Sequence, residues 1–215
     1  MIPLRDVIPS RTWPGVTITI VVLNVLVYLR SMGLGDREFA AFVGAFGLVP
    51  ATFAWADVFS SMFVHGGLMH VVGNMLYLWI FGDNVESEFG HAKFLAFYVV
   101  AGLAASAAHI LTSAGSTVPS LGASGAIAGV LGAYLVMFPR RSVTVLMGFR
   151  RAELPALVVI GMWAAFQFLI GAGSLISPRE GGGVAYLAHV GGFIAGLVMT
   201  PLLRARPSRG ELPRG

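Results

Sequence analysis

A serine stands at position 124 in the run Gly122-Ala123-Ser124-Gly125, and a histidine at position 189 in Ala188-His189-Val190-Gly191-Gly192. Both sit in otherwise apolar stretches, where a polar residue is costly and marks a candidate functional site. Serine and histidine on separate helices are the minimum set for nucleophilic hydrolysis. The imidazole takes the hydroxyl proton during attack and returns it to the leaving amine. A further apolar stretch carries His70 and Asn74, spaced i, i+4 and therefore on one helical face. With the unpaired N–H groups at the start of the helix bearing Ser124, these side chains can hold an oxyanion. Each donor is worth ~3 kcal/mol in a low-dielectric site. The plainer alternatives are a small packing serine and a structural hydrogen bond at His70.

The elements that must position these residues are membrane helices. Of 215 residues, 56% are hydrophobic and only 11% charged, and the mean hydropathy is +0.81. A soluble domain carries about 25% charged residues, so this composition describes an integral membrane protein. The chain has no cysteine, which excludes disulfides, thiolate metal sites and a cysteine nucleophile. Since about 20 residues cross a ~30 Å hydrocarbon core, charge-free runs predict six helices, over 15–29, 59–81, 94–111, 122–138, 154–176 and 184–203. The first is read as an uncleaved helix rather than a signal peptide, because the later spans need its orientation.

An even number of spans puts both termini on one side. With the N-terminus inside, the inner basic residues are Arg5, Arg11, Lys93, Arg140, Arg141, Arg150, Arg151, Arg204, Arg206, Arg209 and Arg214, against Arg30, Arg37 and Arg179 outside. That bias predicts an N-in, C-in topology. It also explains the net charge of +4 without a nucleic-acid partner. The external stretch 31–58, with its Phe-rich run from Phe39 to Phe46, is expected in the outer interface. Residues 171–183 are expected to form a flexible external loop around Gly181-Gly182-Gly183, and 204–215 a disordered cytoplasmic tail. The expected organisation is all-α, with residues 1–203 as one domain, no soluble domain and no internal repeat.

In that topology the second, fourth and sixth spans all run inward, so Ser124, His189, His70 and Asn74 reach similar depth in the outer half of the membrane. Glycines allow lateral approach: Gly122, Gly125, Gly129 and Gly132 in the fourth span, Gly192 and Gly196 in the sixth. Small residues at i, i+4 let membrane helices come close, although generic helix packing uses the same pattern. Of the remaining histidines, His65 is expected to tie the external loop to the bundle, His109 to be interfacial and His91 to face solvent. Glu86 is expected to brace the turn after the second span.

Rival chemistries fail on residue types. All ten acidic residues are placed in loops or at helix ends, which excludes a pair of intramembrane aspartates. His-Glu-x-x-His is absent, and Ala126 stands where a Gly-x-Ser-x-Gly elbow needs glycine. Neither a metal nor any other cofactor is expected.

Taken together, Gly122-Ala123-Ser124-Gly125, Ala188-His189 with Gly192 and Gly196, and His70 with Asn74 followed by Gly82-Asp83-Asn84-Val85-Glu86 resemble the rhomboid intramembrane serine proteases. The resemblance implies a six-transmembrane-helix rhomboid bundle around a recessed, water-filled site. It implies a Ser124–His189 dyad with no acidic third member, and an oxyanion hole of Asn74, His70 and the Ser124 backbone. Stretch 31–58 would be half-inserted, while the fifth helix and the loop after it would form a gate and cap. Substrates would be membrane proteins with a helix-destabilised transmembrane segment, met in the bilayer of a prokaryotic plasma membrane with the site opening outward. Two features depart from the family: Trp55-Ala56-Asp57 lacks the arginine several members carry after the tryptophan, and Ala128 occupies a position where some place a tyrosine against the histidine. The alternative is a non-catalytic rhomboid-like protein that binds membrane clients, although such proteins typically lack the serine or the histidine. A transporter predicts inverted repeats or broken helices, and neither is visible in the sequence.

Overall fold

The computed structural model describes residues 1–176 and 185–204. The expected tail beyond Arg204 and the Gly181-Gly182-Gly183 loop therefore lie outside the described residues. Helices α1 (Gly15–Met32), α2 (Asp36–Phe46), α3 (Trp55–Ser60), α4 (Leu68–Phe89), α5 (His91–Thr112), α6 (Ser124–Met137), α7 (Ala156–Ile176) and α8 (Tyr186–Leu203) are joined by strands β1 (Ile2–Asp6), β2 (Ser142–Met147) and β3 (Arg150–Pro155). Among the described residues, four helical stretches are long and apolar enough to cross a membrane: Gly15–Met32, His91–Thr112, Ala156–Gly173 and Tyr186–Leu203. The segment Trp55–Phe63 meets α4 at 90°. α6 has 14 residues, about 21 Å at 1.5 Å each.

α6 is the central helix, with ten of its fourteen residues buried; α8 packs against both α6 and α5, whereas α7 rests chiefly on α8. Backbone contact sets this arrangement. A methyl group on Gly192 would run into the Gly125 carbonyl, and one on Gly196 into the Gly129 carbonyl. Gly125 and Gly129 in turn face the methyl groups of Ala105 and Ala101 on α5, so three helices meet along glycine and alanine. Gly196→Ala is expected to push α8 off α6 at a cost of about 1–3 kcal/mol or more. The check is a lower thermal midpoint in detergent.

Two expectations need correction. The second helix spans Leu68–Phe89 rather than 59–81, because Gly66-Gly67 breaks the chain and residues before it form α3 and a 3₁₀ turn, Ser61–Phe63. At its far end α4 runs on through Asp83, Glu86 and Glu88. Glu86 and Glu88 thus lie at the helix end, as expected of the acidic residues, but that end comes eight residues later than 81. Glu86 is fully buried because its carboxylate accepts the N–H groups of Val16 (2.9 Å) and Thr17 (2.8 Å) and the Thr17 hydroxyl (2.7 Å). Rather than merely bracing the α4–α5 turn, it caps α1. His91, mostly solvent-facing, also brings Nδ1 to 2.6 Å from the same carboxylate.

The second correction is a sheet. β2 and β3 form an antiparallel hairpin, Ser142↔Pro155 through Met147↔Arg150, and β1 pairs antiparallel with β2 on its other edge. Gly148, at φ +61°, takes the left-handed turn position that suits glycine. Val143 and Val145 are buried in the core that the helices form, so one face of the sheet covers the helix ends. Asp6 ties it down: its Oδ2 accepts the Tyr134 hydroxyl (2.8 Å) and the Asn84 amide (2.7 Å). Burial pushes the Asp6 carboxyl above its usual range, while the Tyr134 hydrogen bond pulls the other way.

The stretch between α1 and α4 contains α2, which buries none of its side chains against the bundle. α3 closes its own first turn, with the Asp57 carboxylate accepting the Ala54 N–H at 2.9 Å.

Candidate active site

The chain enters α6 through Gly122, whose φ of +109° is a left-handed conformation that glycine alone adopts readily. Its N–H donates to the Ser61 carbonyl at 2.9 Å. A Cβ here would lie 2.7 Å from His70 Nε2 and 3.3 Å from Asn74 Nδ2, so both side chains crowd the turn that presents Ser124. Ser124 then opens α6, at the end where backbone N–H groups lack helical partners and the dipole is positive.

His189 comes from the first turns of α8, only 7% exposed. Its Nε2 lies 2.7 Å from Ser124 Oγ. On the other edge of the ring, Nδ1 lies 2.9 Å from Gln167 Oε1 on α7. The Trp163 ring, one helical turn from Gln167, sits 6.0 Å from the imidazole at a 36° tilt. Ala128, the site of the absent tyrosine, is buried on α6, so the aromatic neighbour of His189 comes from a different helix. Neither Gln167 nor Trp163 was singled out in the sequence. Gln167 nevertheless carries the same signal as Ser124, a polar side chain in an apolar run.

His70 and Asn74 project from the first turns of α4. Asn74 Nδ2 is buried and has no hydrogen-bond partner among the described residues, leaving a donor directed at the Gly122–Ser124 turn. The His70 ring packs edge-on against His65, with centroids 5.0 Å apart. His65 is buried just before α4. A cavity of 1470 Å³ joins His70, Asn74, Ser124, His189 and Trp163, and His109 also lines it. A hydroxyl and a neutral imidazole at this separation can pass a proton, and an oxyanion formed at Ser124 would find the α6 N-terminus and the Asn74 amide nearby.

The Rhomboid domain family model matches residues 52–206, most of the chain and all of the site. The chain belongs to the rhomboid family. It is 34% identical to RHOMBOID-like protein 5 of Arabidopsis thaliana over 151 residues, 70% of this chain and 45% of that protein. It is 33% identical over 144 residues to Rhomboid protease GluP of Bacillus subtilis, covering 66% of this chain and 25% of the relative. Against Rhomboid protein 1, mitochondrial, of Saccharomyces cerevisiae the figures are 30% over 146 residues, 66% and 40%. The chain thus spans less than half the length of these relatives. Family membership and the long apolar helices together make it an integral membrane protein. Relatives from a plant, a yeast mitochondrion and a bacterium point to no single membrane.

Proposed function

We propose that this rhomboid-family chain is an intramembrane serine endopeptidase acting through a Ser124–His189 dyad on membrane-protein substrates. The observation that carries the reading is the 2.7 Å approach of His189 Nε2 to Ser124 Oγ, between two residues far apart in sequence. His189 Nε2 accepts the hydroxyl proton as Ser124 Oγ attacks the scissile carbonyl carbon, and the carbonyl π electrons move to oxygen. The oxyanion is held by the N–H groups opening α6, by Asn74 Nδ2 and by His70. Collapse expels the amine, protonated by His189, and leaves an acyl-serine that water clears by the same steps. A backbone can enter such a site only if its own helix unwinds there, so favoured substrates have a helix-destabilised transmembrane segment.

Six crossings, by α1, α4, α5, α6, α7 and α8, with both termini on the inner side, complete the proposal. They rest on the basic-residue bias and leave the serine end of α6 facing outward. A prokaryotic plasma membrane is the setting in which outer and inner faces carry that bias most simply.

The test is labelling of detergent-solubilised protein by a fluorescent fluorophosphonate. Wild type is expected to label, while Ser124→Ala and His189→Ala remain dark. Equal labelling of wild type and Ser124→Ala would overturn the nucleophile assignment. Folded wild type that neither labels nor cleaves a membrane-anchored peptide would leave the client-binding alternative.

A further inference from the structure

We infer that Gln167 is the positioning residue that fixes the tautomer and orientation of His189, and that α7 delivers it. The inference rests on the protease reading for its kinetic consequence, although the contact itself exists whatever the protein does. For Ser124 to donate its hydroxyl proton to Nε2, that nitrogen must be bare and the ring proton must sit on Nδ1. A proton on Nδ1 needs an acceptor. Gln167 Oε1 lies 2.9 Å away, on a side chain 7% exposed, and it supplies that acceptor without a charge. The neutral carbonyl does the orienting work a carboxylate does in a three-membered catalytic unit.

The second half of the inference concerns the helix. Trp163 and Gln167 are spaced i, i+4 on α7 and so share a face, and both meet the His189 ring. Beyond its first turn, where Ala156, Val159 and Ile160 are buried in the core, much of α7 faces away from the bundle: Met162 and Leu169 are exposed. Between α7 and α8 lies a second, apolar cavity of 330 Å³, lined by Trp163, Gln167 and His189 themselves together with Phe168, Phe193 and Leu197. Beyond its first turn α7 is therefore held along a narrow strip, and Trp163 and Gln167 on that strip grip the base. Any displacement of α7 withdraws both. The competence of His189 thus depends on α7 being seated.

The experiment compares wild type, Gln167→Leu and Gln167→Glu, each with the His189 ring ¹⁵N-labelled, in two measurements. Ring nitrogen shifts report the tautomer. Steady-state cleavage reports kcat and KM separately. Wild type is expected to hold Nδ1–H alone, and Gln167→Leu a mixture with kcat about 100-fold lower and KM little changed. Gln167→Glu is expected to restore the single tautomer and most of kcat. An unchanged tautomer in Gln167→Leu overturns the inference, whether or not kcat falls. The tautomer reads Gln167 even in a protein that cleaves nothing, whereas loss of cleavage in wild type overturns the protease reading alone.

Discussion

His189→Ala is expected to lower turnover per folded molecule by about 10⁴-fold or more, with KM for a membrane-anchored substrate little altered. Tenfold in rate is about 1.4 kcal/mol of barrier, so the loss is roughly 5–6 kcal/mol. No packing defect at one residue acts that selectively on the transition state. Alanine leaves Ser124 Oγ without the acceptor now 2.7 Å away, and the hydroxyl must then lose its proton to water during attack. It also strands the Gln167 carbonyl, at a stability cost of about 1–3 kcal/mol, which is why the rate is normalised to folded protein. A residual rate within tenfold of wild type would mean that another base serves Ser124. His70, across the same cavity, would be the first to examine.

Glu86→Ala carries the largest stability effect. α1 begins after Pro14 and has no side-chain cap of its own. The N–H groups of Val16 and Thr17 are bonded instead to a carboxylate from α4, some 70 residues away in sequence. That carboxylate also lies at the positive end of the α1 dipole. Alanine removes the charge and orphans two N–H groups and the Thr17 hydroxyl at once, for a loss of about 3–5 kcal/mol. At ~2–4 °C per kcal/mol for a chain of this size, the thermal midpoint should fall by about 10 °C. Glu86→Gln, which keeps one acceptor oxygen and loses the charge, should fall between the two. A Glu86→Ala midpoint within two degrees of wild type would show that water caps α1 equally well.

Both predictions bear on what could be read in advance. Ser124, His189, His70 and Asn74 stand out because each interrupts an apolar run, and the topology argument needs only the order of the spans. The extension of α4 could not be read that way. Asp83, Glu86 and Glu88 look like the end of a membrane helix because local pattern treats every charge as unpaid, yet the partners of Glu86 arrive from α1. The β2–β3 hairpin was legible in principle, since Val143-Thr144-Val145 is a β-branched run before a glycine turn. Lying between two apolar spans, it is overshadowed by their stronger signal. Gln167 was missed for a different reason. One amide in a run as apolar as α7 means little until the ring it faces is known.

The pairing of β1 with β2 sets an order of events during synthesis. Ile2 sits opposite Leu146 in the ladder, so the first strand made has no partner until α1, α4, α5 and α6 have all been translated. At ~5–20 residues per second the wait is roughly 7–28 s, during which a hydrophobic strand edge stays open. Closing it joins the start of the chain to the link between α6 and α7 and, through Asp6, to Tyr134 and Asn84. β1 is thus a late latch. Its protection from proteolysis would time the completion of the bundle, and a chain stalled before residue 142 would be recognisable by a free first strand.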